Sequence, residues 1–159
     1  MATTNPLSQP APSGIQIVKE EFVDVSDSNR RPVTELHSAL HLFHPNILVI
    51  GSGVETERAL RQIRPTLLAP VDSWSPTELP HLPASGFRSL IVREIECLTA
   101  RQQASLAALL SQPTVDVQIV SIARLPLFPL VCQGLFLEDL YYQLNIVLLE
   151  SNRDGSFGW

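Results

Sequence analysis

The chain has 159 residues, enough for one domain plus a tail, and its 45% hydrophobic content supplies a core while charged residues stay at 17%. A net charge of −5 with a single lysine, Lys19, argues against a nucleic-acid backbone as partner and leaves the remainder of the chain no lysine for a phosphate. No apolar run reaches the roughly 20 residues of a bilayer span, and Met1 to Gly14 has neither the basic nor the apolar region of a signal peptide, so a cytoplasmic location is the default expectation.

Residues 1–32 read as a disordered or linker arm. Pro6, Pro10, Pro12 and Gly14 fill its first part, and the charged stretch KEEFVDVSDSNRR its second. From Val33 the apolar positions Leu36, Leu40 and Phe43 mark a short helix that Pro45 ends. His37, His41 and His44 recur at i, i+4 and i+7 beside that stripe. The spacing suits a metal in principle, but no cysteine or second carboxylate completes a ligand set, and a polar helix face with no metal is the reading adopted.

Asn46 to Ile50 is an apolar run of the kind that forms a parallel strand buried on both faces. Gly51, Ser52 and Gly53 turn the chain into a helix over 54–64 that Pro65 closes. A second strand is expected over 66–71, then a proline-rich stretch over 72–86, a third strand over 87–92 and a helix over 99–111. A fourth strand is expected over 115–122, a proline-interrupted segment over 125–132, a helix over 136–144 and a fifth strand over 146–149. Residues 151–159 read as a flexible, turn-like tail. Strands alternating with helices at this spacing imply a parallel sheet with helices on both faces. Cys97 and Cys132 form no metal-binding pair and are expected reduced and buried.

A strand followed by Gly51-Ser-Gly53 and a helix is where a phosphate would meet free backbone N–H groups. The pattern for that task, GxxxxGK[ST], finds Thr56 at its second glycine, Glu57 at its lysine and Arg58 at its hydroxyl. Exchanging the cation for a carboxylate turns attraction to phosphate into repulsion. The third strand ends in Arg93-Glu94 where magnesium-dependent NTPases place a metal-binding aspartate, so Glu94 stands without its metal partner.

Val115 to Val120, then Gly134-Leu-Phe-Leu-Glu-Asp-Leu-Tyr-Tyr-Gln-Leu-Asn-Ile-Val147, resembles the AAA+ domain of sigma-54-dependent transcription activators, whose corresponding segments read approximately V-D-V-R-I-I and G-x-F-R-E-D-L-Y-Y-R-L-N-V-V. The resemblance covers roughly 46–150 and is strongest at its C-terminal end. It implies an α/β, three-layer P-loop fold with a mostly parallel five-stranded sheet in the order 5-1-4-3-2, occupying 33–150, shortened and lacking the lid subdomain. Arginines that reach a neighbouring subunit's ATP in that family are here Leu137 and Gln143, and Ser121 to Arg124 replaces its sensor asparagine. The GAFTGA loop that contacts sigma-54 has no counterpart between the second and third strands, and the expectation is a domain without the family's DNA-binding helix-turn-helix.

The resulting expectation is a bacterial, non-catalytic regulatory or interaction domain in transcription regulation, a pseudo-ATPase with no catalytic residues and no resident cofactor. Its partner would be a protein, an AAA+ activator subunit or a second copy, with no membrane or DNA contact. Phe136, Glu138, Asp139, Tyr141 and Tyr142 are its candidate interaction surface, although packing of that helix on the sheet explains the same residues. A second reading keeps weak ATP or ADP binding at Gly51, Ser52, Gly53 and Glu94 without hydrolysis. A third is a receiver-like signalling module built around Asp72.

Overall fold

The computed structural model describes residues 31–84, 86–151 and 157–158. The arm before Arg31 lies outside them. Helix α1 (Arg31–Phe43) leads into β1 (Ile47–Ile50), α2 (Gly53–Ile63), β2 (Val71–Trp74), β3 (Ser89–Val92), α3 (Ala100–Leu110) and β4 (Gln118–Ala123). Two short helices follow, α4 (Phe128–Cys132) and α5 (Glu138–Leu144), and then β5 (Val147–Ser151) and β6 (Phe157–Gly158).

The sheet runs β2-β3-β4-β1-β5-β6, with the first five strands parallel and β6 antiparallel to β5. This is the order expected for the five parallel strands, with β6 added from a tail read as turn-like. Because β4 lies between β3 and β1, the fold departs from the 2-1-3-4-5 order of receiver and flavodoxin-like modules, and the receiver reading falls. Asp72 lies within β2 at the exposed sheet edge, where its carboxylate accepts from the N–H of Ser73 at 2.8 Å.

The sheet is covered on both faces: every position of its central strands β1, β3 and β4 is buried, most of them apolar, with Ser89, Gln118 and Ser121 as the polar exceptions. One core joins Leu48, Leu90, Val92 and Ile119 to Leu106 of α3 and to Leu140 and Leu144 of α5. The other joins Ile47, Val49, Val120 and Ile122 to Leu40 of α1 and to Ala59, Leu60 and Ile63 of α2. In α2 the buried residues Thr56, Ala59, Leu60 and Ile63 recur at helical spacing, so one stripe meets the sheet. Thr99 caps α3 through a reciprocal pair of bonds with Gln102, which sets the start of that helix one residue after the expected one.

Several expected boundaries move. Residues 64–66 form a 3₁₀ turn with Pro65 at its second position, and β2 starts at Val71 instead of Thr66. Residues 115–117 precede β4, held by a turn in which Val115 N–H donates to Gln112 O at 3.1 Å. The proline-interrupted segment contains a helix, α4, because Pro129 sits in its first turn, where a missing N–H costs nothing. Cys97 and Cys132 are free thiols and exposed, not buried, each lying at the end of a short helical turn on the surface. His44 follows the end of α1 with φ 45°, and its Nδ1 meets Thr66 O at 3.2 Å, so the three histidines do not share one helix face. Among the described residues no three His, Cys, Asp or Glu side chains are grouped as a metal site.

Candidate functional site

The parallel strands β1, β3 and β4 end side by side, with Ile50 opposite Ala123 and Val92 opposite Ser121. Gly51 N–H donates to Ala123 O at 2.9 Å and carries the ladder one residue past β1. A cavity of about 840 Å³ opens there, at the carboxyl edge of the strands where α/β sheets hold ligands. Gly51, Ser52, Gly53 and Glu94, the four residues singled out from the sequence, all line it.

The loop entering the cavity is short. Helix α2 begins at Gly53, with φ +60°, and only Gly51 and Ser52 separate it from the end of β1. Thr56, Glu57 and Arg58 are therefore residues of the helix and not of a loop wrapped around a ligand. Thr56 lines the cavity with its hydroxyl buried and without a hydrogen-bond partner.

Across the cavity, Arg93 at the end of β3 donates through Nη1 to Glu57 Oε1 at 2.8 Å. These are the two positions that the sequence aligned with a metal aspartate (Arg93) and a phosphate-binding lysine (Glu57), and the structure pairs their side chains with each other. Both side chains are about half exposed (42% and 52%), so a contact of this kind is worth about 1 kcal/mol or less. Its consequence is electrostatic occupancy of the site more than stability.

Glu94 takes a left-handed backbone, φ 50° and ψ 46°, which non-glycine residues adopt uncommonly. Thr77, from the β2–β3 connection, donates its hydroxyl to Glu94 Oε2 at 2.6 Å. Arg124, one residue past β4, reaches Glu94 Oε1 at 3.7 Å and donates from Nε to Glu96 Oε1 at 3.0 Å. The Glu96 hydrogen bond and charge, with smaller contributions from the Cys97 thiol and Glu94, hold the Arg124 guanidinium above its ordinary pKa. Sequence reasoning passed over Thr77, Glu96 and the role of Arg124. The available signal was position, since Arg124 follows one central strand and Glu94 and Glu96 follow its neighbour.

The second group of expected site residues is only partly at the surface. Phe136 is 3% exposed and packs in the core with Leu140, so it cannot belong to an interaction surface. The turn after α4 directs it inward, with Phe136 N–H donating to Leu130 O at 3.2 Å. Glu138 and Asp139 are exposed in the first turn of α5. Tyr141 is half-buried between Phe128 (ring centroids 5.9 Å apart) and the largely exposed Tyr142 (5.3 Å).

With sheet order and cavity in place, solved structures offer a direct comparison. NtrX from Brucella abortus in complex with ADP superposes with TM-score 0.61 at 17% identity, over 75% of this chain and 34% of that one. The P-loop NTPase domain of the sigma-54 transport activator from E. coli gives 0.53 at 20% identity, over 69% of this chain and 98% of that one. The RuvB Holliday junction branch migration motor of Thermotoga maritima gives 0.54 at 15%, over 75% and 42%.

The fold is that of a P-loop AAA+ domain. This chain spans about a third of the length of the NtrX chain. No family model and no curated protein matches it by sequence. No helix among the described residues is long and apolar enough to cross a membrane.

Proposed function

We propose that this chain is a non-catalytic regulatory or interaction domain, related to the AAA+ domains of sigma-54 activators, in which ATP hydrolysis has been lost. The observation that carries the reading is the Arg93–Glu57 pair at 2.8 Å. A magnesium-bound triphosphate calls for a cation near its terminal phosphates and a carboxylate on the metal. This cavity offers a carboxylate at the first position and a guanidinium at the second. The absence of a loop between β1 and α2 long enough to wrap phosphates supports the same conclusion. The residues present do not fit that group, and no catalytic step runs through it.

In this reading the domain acts by contact with a protein, a second copy or an AAA+ activator subunit, without membrane or DNA contact, in a bacterial cytoplasm. Glu138, Asp139, Tyr141 and Tyr142, joined by Phe128, supply an exposed acidic and aromatic surface for it. The test measures phosphate release from ATP with magnesium beside self-association by light scattering. Release equal to a protein-free blank, with association indifferent to nucleotide, is the expected result. Turnover above the blank that disappears in Glu94→Gln would overturn the reading.

A second reading, ATP or ADP binding without hydrolysis, draws on one observation: Gly51, Ser52, Gly53 and Glu94 face a single cavity at the N-terminus of α2.

A further inference from the structure

Three arginines line the cavity, Arg61, Arg93 and Arg124, against three glutamates, Glu57, Glu78 and Glu94. Formal charge in the site therefore balances to zero. Two of those glutamates are tied to arginines, Glu57 to Arg93 at 2.8 Å and Glu94 to Arg124 at 3.7 Å. Arg61 donates only to the Glu57 backbone carbonyl, at 3.4 Å, among the contacts of the described residues. The first-turn N–H groups of α2 add partial positive charge at the same mouth.

We propose that Glu57 is a built-in competitor for external anions: its carboxylate takes the guanidinium of Arg93 and so closes an otherwise cationic cavity to polyphosphates. The proposal deepens the non-catalytic reading, on which it rests, by naming the side chain that enforces it. Glu57 is suited to this role by its place. It extends from the second turn of α2 across the cavity to the end of β3, bridging two walls that an external ligand would have to bridge instead. Both partners remain about half exposed, so the pair exchanges with solvent and is open to competition.

The prediction depends on the sign of the charge removed and not only on breaking the pair. In Glu57→Gln the cavity carries a net charge of +1 and Arg93 lacks its partner. In Arg93→Gln the same pair is lost but the cavity carries −1. Glu57 and Arg93 are both half exposed, so neither change empties a core site, and thermal melts of the two variants confirm folding before titration.

The experiment titrates the full chain with inorganic tripolyphosphate by calorimetry at low ionic strength. The wild type and Arg93→Gln are expected to give no saturable heat. Glu57→Gln is expected to gain affinity by about tenfold or more, and to lose the gain at high salt. Equal binding by both variants would show that space, not charge, controls entry, and would overturn the proposal. So would wild-type binding as tight as that of Glu57→Gln, or silence from all three proteins. Silence would leave the non-catalytic reading standing, because that is judged by phosphate release and association.

Discussion

The guanidinium of Arg124 donates to Glu96 at 3.0 Å and joins the end of β4 to the turn after β3, holding a carboxylate whose side chain is 6% exposed. The Arg124 backbone N–H also meets the same oxygen at 3.3 Å. A buried carboxylate that loses its partner is destabilising, so Arg124→Leu is expected to lower the melting temperature. The pH dependence follows from the sign of the shift. Arg124 is held above its ordinary pKa, so its contribution is complete below that ordinary value and is lost only as pH climbs through the still higher folded one. The melting difference between wild type and variant is therefore predicted to stay constant from about pH 6 to 9. A difference that fades across that window would assign the effect to another group.

Gln103 does for the α3–α5 side what Arg124 does for the strand ends. Its buried amide donates to Leu98 O and to Leu135 O, both at 3.0 Å, and accepts from Leu137 N–H at 2.8 Å. Gln103→Leu leaves those backbone groups unpaired and is expected to cost about 2–3 kcal/mol. In urea unfolding the midpoint should fall while the slope stays the same. An unchanged midpoint would mean that water replaces the amide at no cost.

Two aromatic residues in the same segment are predicted to separate packing from contact. Phe136→Ala removes a side chain that is 3% exposed and is expected to cost about 3–5 kcal/mol. Tyr142, 56% exposed, can become Ala within about 0.5 kcal/mol. Association with a partner or a second copy should weaken in Tyr142→Ala. Full association by that variant would remove α5 from the proposed surface.

Both thiols are accessible, Cys97 beside Arg124 (3.9 Å) and Cys132 at the end of α4. A thiol reagent added to the native protein is expected to titrate two groups per chain without denaturant. Reaction only after unfolding would contradict the exposure of both residues.

The alternation of strand and helix and the apolar runs at Ile47–Ile50 and Leu90–Val92 were enough to read a parallel sheet, while its order was legible only as what the resemblance carried by the α5 segment implied. These signals are local, because strands buried on both faces are predominantly apolar. The start of β2 was not legible: Val71-Asp-Ser-Trp74 is an edge strand, exposed at its two polar positions, and lacks such a run. Helix α4 was hidden by the prolines that begin it. Phe136 and the cysteines were misplaced because neighbouring turns, not residue type, decide which way each points. At the cavity, the replaced positions Glu57 and Arg93 were visible one at a time. Their pairing was not, since 36 residues separate them and only the crossover brings α2 beside β3. Asn46 shows the same limit: its side chain accepts from Ile119 N–H at 2.7 Å and donates to Gln143 O at 2.9 Å, contacts set by topology alone.

The central claim is that the cavity beside Gly53 no longer receives magnesium nucleotide. It is tested most directly by calorimetric titration of the wild-type chain with ATP and magnesium, carried to millimolar nucleotide. The account predicts dilution heat only, because Glu57 opposes phosphate and Arg93 opposes the metal. Saturable binding at micromolar affinity would contradict it and return the cavity to the nucleotide-binding reading.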